Sequence, residues 1–174
     1  MSVIDKLMAA VTPLPDAEKR ADATAEARAA AKPGDWLTLV LDHHDLIRDA
    51  FATARAARSA AERKTAFKAL ALVLNGHSLA EEIVLYPALG KADHKAHAAQ
   101  AYLEQTVAKT QMAELERIPA SKPEWLDKLE HIEGAVLTHM FEEESGWFLD
   151  LRNQADDSAL LTARYAEEYE RYVG

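Results

Sequence analysis

Histidine and glutamate recur four residues apart at two places in the chain, as His77 with Glu81 and as His139 with Glu143. Residues at this spacing on an α-helix lie about 6 Å apart on one face, so each pair can present an imidazole and a carboxylate to one metal ion. Both segments have the pattern HxxxEExxx followed by an aromatic residue. The spacing therefore predicts metal binding by two helices that carry the same set of ligands.

Both pairs lie on the apolar stripes of their predicted helices, and one further histidine lies on the stripe of an earlier helix. Burying carboxylates and imidazoles without partners costs several kcal/mol for each unpaired charge, and a metal ion compensates for that cost. A chance HxxxE pair on a solvated helix face is common, but it does not account for buried residues. We therefore predict a metal site formed by His44, His77, Glu81, His139 and Glu143.

The chain's 174 residues suit one domain, and its six glycines and six prolines fall between periodic stretches, which favours long helices. We predict an all-α protein, an antiparallel up-down four-helix bundle with extra N-terminal and C-terminal helices. The expected units are an N-terminal helical appendage (1–34), the bundle (35–152) and a C-terminal helix packed on the bundle (153–174).

Apolar periodicity and local breaks set the predicted helix boundaries. The appendage begins with a short amphipathic stretch to Val11, and Asp35 is placed to cap the first bundle helix. The segment from Ser121 to Glu124 has the pattern of a capping box for the fourth helix. The bundle helices are predicted over about 36–59, 62–88, 93–118 and 123–152.

The register of the bundle tests whether the candidate ligands can meet. Antiparallel neighbours joined by short loops bring together residues whose numbers add to a constant. On this basis His77 faces Gln105, Gln105 faces His139, and His44 faces His77, with each midpoint in a predicted loop. We therefore expect these four residues in one layer and the two glutamates in the next.

Composition limits the possible partners. Lys and Arg total 20 against 29 Asp and Glu, and the net charge of −9 repels nucleic acid and anionic lipid surfaces. The chain has no cysteine, which excludes disulfides, thiolate zinc sites and cysteine-ligated iron–sulfur clusters. Any metal must therefore take nitrogen and oxygen ligands. The first residues lack a secretory pattern and no segment has the apolar length of a membrane span, so we expect a cytoplasmic protein.

Three segments of the predicted bundle carry a family resemblance: LDHHD, HSLAEEIVLYPAL and HMFEEESGWF. Together they resemble the hemerythrin-like (HHE cation-binding) family over roughly residues 36 to 150. The resemblance implies a non-haem di-iron centre, bound within the bundle by inward histidines and bridging carboxylates. Carried over residue by residue, it assigns the ligands to His44, His77, Glu81, His139 and Glu143.

The third predicted helix departs from the family pattern. Where the family usually supplies one or two histidines, this chain has Glu104 and Gln105. The amide oxygen of a glutamine is a weak metal ligand, and Ala101, one helical turn away, has no ligand atom. One iron would therefore keep an open coordination position. His97 lies about 12 Å along the axis from Gln105, and we expect it in a supporting or gating position in the layer of Trp147.

Several neighbours are reserve candidates. His43 and His44 cannot both point inward, and we favour His44 because it is in phase with the apolar residues around it. Glu142 and Glu144 are expected on the solvated surface, whereas Tyr86 is placed to pack in the core, to donate a hydrogen bond near the metal or to reach the iron itself. The reserve ligands are His43, Glu82, His97, Glu104 and Gln105.

The resemblance and the ligand set lead to three functional hypotheses. The first is a non-haem iron protein that binds or senses oxygen, nitric oxide, peroxide or iron itself. The second is a di-iron oxidase or peroxidase, in which the open position activates the oxidant. The third is a helical scaffold whose site is degenerate or holds zinc. It is supported by Gln105, which stands where the family usually has a histidine.

Overall fold

The computed structural model describes residues 14–154 and 158–174, and every regular element within them is helical. Two π-helical turns, π1 (Glu81–Leu85) and π2 (Glu143–Trp147), each continue one long helix into a shorter one. The predicted stretch before Val11 lies outside the described residues. The α-helices are α1 (Ala17–Ala30), α2 (Trp36–Ala56), α3 (Ala60–Ala80), α4 (Tyr86–Lys91), α5 (Lys95–Arg117), α6 (Pro123–Glu142), α7 (Phe148–Gln154) and α8 (Ser158–Val173).

The predicted up-down bundle consists of four long helical segments. The first is α2, the second is α3 continued by π1 and α4, the third is α5, and the fourth is α6 continued by π2 and α7. In the bundle α2 packs against α3 and α6, and α5 packs against α4 and α6. The two extra helices cover the bundle, since α1 contacts α2 and π2 while α8 lies along α3 and α2. Among the described residues, none of these helices combines the length and apolar composition needed to span a lipid bilayer.

Capping side chains decide where α2 and α3 begin. Asp35 caps α2 as predicted, because its carboxylate accepts a hydrogen bond from the backbone N–H of Thr38. Ser59 and Glu62 form a capping box at the start of α3. This cap places Ser59 before α3, and α2 therefore ends at Ala56, earlier than the periodicity predicts.

The capping box predicted for the fourth bundle helix is wrong. Lys122, and not Ser121, is the N-cap residue of α6, and its side chain makes no capping hydrogen bond. The physical reason is Pro123, which is favoured at the first helical position and keeps the preceding residue extended. Lys122 accordingly has φ −90° and ψ 146°.

Apolar side chains gather in two cores, with a polar layer between them. One core contains Trp36, Leu41 and Phe148, and the other contains Ile47 and Trp125. Helix α2 passes from the first core to the second between positions 41 and 47. In the opposite sense, α3 passes from the second core to the first between positions 74 and 80, and the segment of α6 and π2 does so between positions 140 and 147. The predicted ligands lie on these crossing segments.

Candidate metal centre

Each histidine–glutamate pair lies where an α-helix becomes π-helical. His77 is in the last turn of α3 and Glu81 is the first residue of π1, while His139 and Glu143 have the same relation to α6 and π2. Single π turns within α-helices are rare and are frequent at functional sites. The repeated sequence pattern therefore folds into a repeated local structure that begins at each carboxylate.

The first π turn brings Tyr86 over the carboxylate of Glu81. In a regular α-helix, a residue five positions later is rotated by about 140° and faces another side. Here the backbone N–H of Tyr86 bonds to the carbonyl of Glu81, and its hydroxyl lies 3.1 Å from Oε2 of the same glutamate. An extra residue in the turn thus adds a phenol to the polar layer.

Four buried side chains converge on one point in that layer. Nε2 of His44 lies 3.3 Å from Oε2 of Glu143 and 4.0 Å from Oε1 of Glu81, which is 3.2 Å from Nε2 of His77. One potential ligand atom from each residue lies within 4.8 Å of all the others. Among the described residues, three buried atoms of this group have no hydrogen-bond partner: Nε2 of His44, Oε1 of Glu81 and Oε2 of Glu143. Buried polar atoms rarely stay unpartnered, so this geometry fits a bound cation.

The second carboxylate oxygens of Glu81 and Glu143 contact a different set of side chains. Oε1 of Glu143 is 3.2 Å from Nε2 of His139 and 2.9 Å from the hydroxyl of Tyr86. Oε2 of Glu81 accepts a hydrogen bond of 2.7 Å from the amide nitrogen of Gln105, which also donates to Tyr86. The tyrosine hydroxyl is itself 3.0 Å from Nε2 of His139. Each carboxylate therefore presents one oxygen to each half of the centre.

Outer carboxylates fix the orientation of two imidazoles. Nδ1 of His44 donates to Glu144 over 2.7 Å, and Nδ1 of His139 donates to Glu104 over 2.7 Å. Both rings consequently turn Nε2 toward the centre, an arrangement common for metal-binding histidines. The expectation that Glu144 faces solvent is wrong, because it is 1% exposed and is paired with Arg48 at 2.6 Å.

A tyrosine from the C-terminal helix contacts the third imidazole, that of His77. The hydroxyl of Tyr165 lies 3.0 Å from Nδ1 of His77 and 2.9 Å from Nδ1 of His43. If Nε2 of His77 faces a cation, its Nδ1 carries the hydrogen and donates to the tyrosine oxygen, whose own hydrogen then goes to His43. Helix α8 thus does more than cover the bundle, and the sequence offers no spacing signal that links it to the site.

Burial and neighbouring charges set the protonation of the chain's own groups. Burial raises the pKa of Glu81 well above its usual value, and the charge of Glu143 adds to this effect. Burial acts in the same direction on Glu143, but the charge of His139, the hydrogen bond from His139 and the charge of His44 outweigh it and lower its pKa. Burial lowers the pKa of His44, yet the hydrogen bond to Glu144 and the charges of Glu144 and Glu143 raise it to about 9. The pKa values of the two carboxylates at the centre are therefore shifted in opposite directions.

The structure separates the reserve candidates. Gln105 reaches the centre, and Glu104 reaches it only through the ring of His139. His43 turns to Tyr165 and stacks on Tyr169, with 3.6 Å between ring centroids. The other two lie elsewhere: Glu82 pairs with Lys109 at 2.6 Å, and His97 stacks on Trp147 at 5.8 Å, in the layer predicted for it.

One side of the centre opens into a cavity of about 390 Å³. His77, Gln105 and His139 line it on the side of the ligand layer, and its other polar lining residues include Glu104, Glu130 and His131. The rest is mostly apolar, with Ile47, Leu74, Ala108, Val136 and Met140 in the lining. A small molecule in this cavity would therefore contact both the imidazoles of the ligand layer and side chains of the second apolar core.

A model of the hemerythrin HHE cation-binding domain matches residues 35–150, which is well over half of the chain. The chain belongs to the hemerythrin HHE cation-binding family. This confirms the resemblance inferred from the three sequence segments. Cation binding by this hemerythrin-like protein agrees with the buried group of His44, His77, Glu81 and Glu143.

Two individual proteins are similar to this hemerythrin-like chain. A crystal structure of a hemerythrin HHE cation-binding-domain-containing protein from Mycobacterium kansasii superposes with a TM-score of 0.71 and 25% identity, covering 80% of this chain and 88% of that one. A protein named DNA nickase from Nostoc sp. is 31% identical over 96 residues, 55% of this chain. The aligned part is only 27% of the nickase, so most of that protein has no counterpart here.

Proposed function

We propose that the chain binds two non-haem iron ions at this centre, and that the loaded protein binds a small redox ligand: oxygen, nitric oxide or peroxide. The main support is the convergence of three buried, unpartnered atoms on one point, with both carboxylates also turned to a second set of groups. Imidazole nitrogens and carboxylate oxygens are suitable ligands for iron, which would supply redox chemistry and open coordination positions. The first ion would be held by His44, His77, Glu81 and Glu143, and the second by His139 and the same carboxylates. Tyr86 and Gln105 would support the second ion through their hydrogen bonds to these carboxylates.

The cavity supports a small ligand that carries no net charge. His77 lines it from one half of the centre, and Gln105 and His139 line it from the half with only one imidazole. An apolar passage admits oxygen, nitric oxide or hydrogen peroxide more readily than it admits an ion, which would lose its hydration there. Tyr86 lies in the same half and can donate a hydrogen bond to a molecule that arrives by this route.

Ligand binding can be tested on protein loaded anaerobically with ferrous iron. Air, nitric oxide or hydrogen peroxide is added separately, and the absorption spectrum is followed before and after the ligand is removed. The proposal predicts a spectral change with at least one ligand that reverses on its removal. If the iron-loaded protein responds to none of them and iron exchanges freely, the chain senses iron itself and the ligand proposal fails.

An enzyme of the di-iron oxidase or peroxidase kind is the second candidate. It is favoured by the position of Tyr86, whose hydroxyl contacts both Glu81 and Glu143 beside the cavity and can pass a proton to a bound oxidant. Continuous peroxide consumption by the loaded protein, reduced in a Tyr86→Phe variant, would support this function. Reversible binding without turnover would exclude it.

DNA cleavage, the activity named for the Nostoc relative, is not part of the proposal. The similar segment is a minor part of that protein. A net charge of −9 also opposes binding to the phosphate backbone. We propose instead that the shared segment is a metal-binding module, for which iron content is the first test.

A further inference from the structure

A second group of potential ligands lies where α5 begins and α7 packs beside it. His94 precedes α5, His97 is in its first turn, and Asp150 is on α7. One ligand atom from each lies within 4.8 Å of the other two, and Nδ1 of His94 is 3.9 Å from Oδ2 of Asp150. All three residues are partly exposed, so a cation can reach them without entering the bundle.

Neighbouring groups hold both imidazoles in place. The side-chain amide of Gln154 lies 3.0 Å from Nε2 of His94. The amide nitrogen of Gln154 is the atom that faces the ring. A flip of this amide turns its oxygen to the ring, so that Nε2 of His94 donates to it and Nδ1 is left free for a cation. His97 is stacked between His94 and Trp147, with centroid distances of 5.6 and 5.8 Å. Nδ1 of His97 is buried and has no hydrogen-bond partner among the described residues.

We propose that His94, His97 and Asp150 bind a divalent first-row transition metal ion at a site separate from the buried centre. Two imidazoles and one carboxylate are a suitable ligand set for zinc, ferrous iron or cupric copper, and they leave positions for water. The acidic chain also attracts cations.

Trp147 links this outer site to the buried centre. Its ring stacks on His97, and it meets the ring of His139 nearly edge-on with 5.8 Å between centroids. An ion at the outer site is therefore one indole ring away from a ligand of the inner one. The same contact makes tryptophan fluorescence a reporter of the outer site.

Cobalt(II) titration of metal-free protein tests the site, with visible absorption and elemental analysis after desalting as readouts. A His94→Ala, His97→Ala double variant should bind one ion fewer per chain than wild type, and an Asp127→Asn control, at an exposed position of α6, should match wild type. Asp150→Asn keeps both imidazoles and the local shape, and it should weaken cobalt binding about tenfold or more. Equal binding by wild type, the double variant and Asp150→Asn would overturn the proposal.

Copper(II) quenching of fluorescence distinguishes this site from the buried centre. Trp147→Phe should remove the quenching, whereas Trp125→Phe, in the other core, should retain it. His77→Ala alters the buried centre and should leave the quenching unchanged. Because this readout needs no iron, it tests the outer site even if the di-iron proposal fails. Quenching that persists in the His94→Ala, His97→Ala variant would contradict the outer site.

Discussion

Nδ1 of His44 and Oε1 of Glu144 lie 2.7 Å apart, and this hydrogen bond turns the other ring nitrogen toward the buried carboxylates. Arg48 and Thr24 also contact Glu144, so the carboxylate stays charged and fixed. The hydrogen bond between His44 and Glu144 resembles the outer hydrogen bonds that orient metal-binding histidines.

Replacing Glu144 by Gln should weaken metal binding about 10- to 100-fold, because the amide is a weaker acceptor and holds the ring of His44 less firmly. Isothermal titration with ferrous iron measures the change. Glu133→Gln is the matched control, since Glu133 is on α6 and pairs with Arg55 away from the centre. Equal affinities for the two variants would show that the hydrogen bond does not support the site.

Tyr165→Phe should lower the stability of the metal-free protein by about 1–3 kcal/mol, because Nδ1 of His77 and of His43 lose their buried hydroxyl partner. Urea denaturation measures this loss. Tyr172→Phe, on the exposed side of the same helix, should change stability little. An equally small effect in both variants would mean that α8 contributes only packing.

Tyr86→Phe should weaken the second iron more than the first. The hydroxyl contacts His139 and both carboxylates in the half that has a single imidazole, and its loss removes the hydrogen bonds that position the carboxylate oxygens there. Stepwise iron titration, followed by elemental analysis, separates the two ions. Tyr102→Phe is the control, because that hydroxyl bonds to the carbonyl of Glu82 outside the centre. Unchanged binding of both ions would exclude Tyr86 as a donor.

Gln105→His should tighten binding of the second ion, because it places an imidazole where the amide now contacts Oε2 of Glu81. The variant's near-ultraviolet absorption should also become stronger when iron is bound. Leu103→His adds a histidine to an exposed position of the same helix and serves as the control. Identical titrations for the two variants would mean that α5 does not contribute to the centre.

The sequence predicted those parts of the site that depend on regular helices. Four-residue spacing holds for His77 with Glu81 and for His139 with Glu143, because the backbone N–H of each glutamate still bonds to the carbonyl of its histidine where the π turn begins. Apolar periodicity also chose His44 over His43 for the inner face, and the structure places them accordingly.

The remaining groups depend on contacts that no local pattern encodes. The sequence predicts Tyr86 in the core or near the metal, and only the π turn decides between these by bringing its hydroxyl to the two carboxylates. Glu144 looks like one more surface charge in a run of glutamates, because its partners Arg48 and Thr24 come from other helices. Tyr165 is far away in sequence, and amphipathic spacing predicts that its helix packs without indicating what it contacts.

Iron content is the most direct measurement of the central claim. Purified protein is loaded anaerobically with ferrous iron, desalted, and analysed by mass spectrometry together with absorption spectra in air and after dithionite. We predict about two irons per chain and a near-ultraviolet band that dithionite bleaches, both lost in His77→Ala and in His139→Ala but kept in the His131→Ala control. Zinc alone, no metal, or iron content unchanged by the His77 and His139 substitutions would contradict a di-iron centre at these residues.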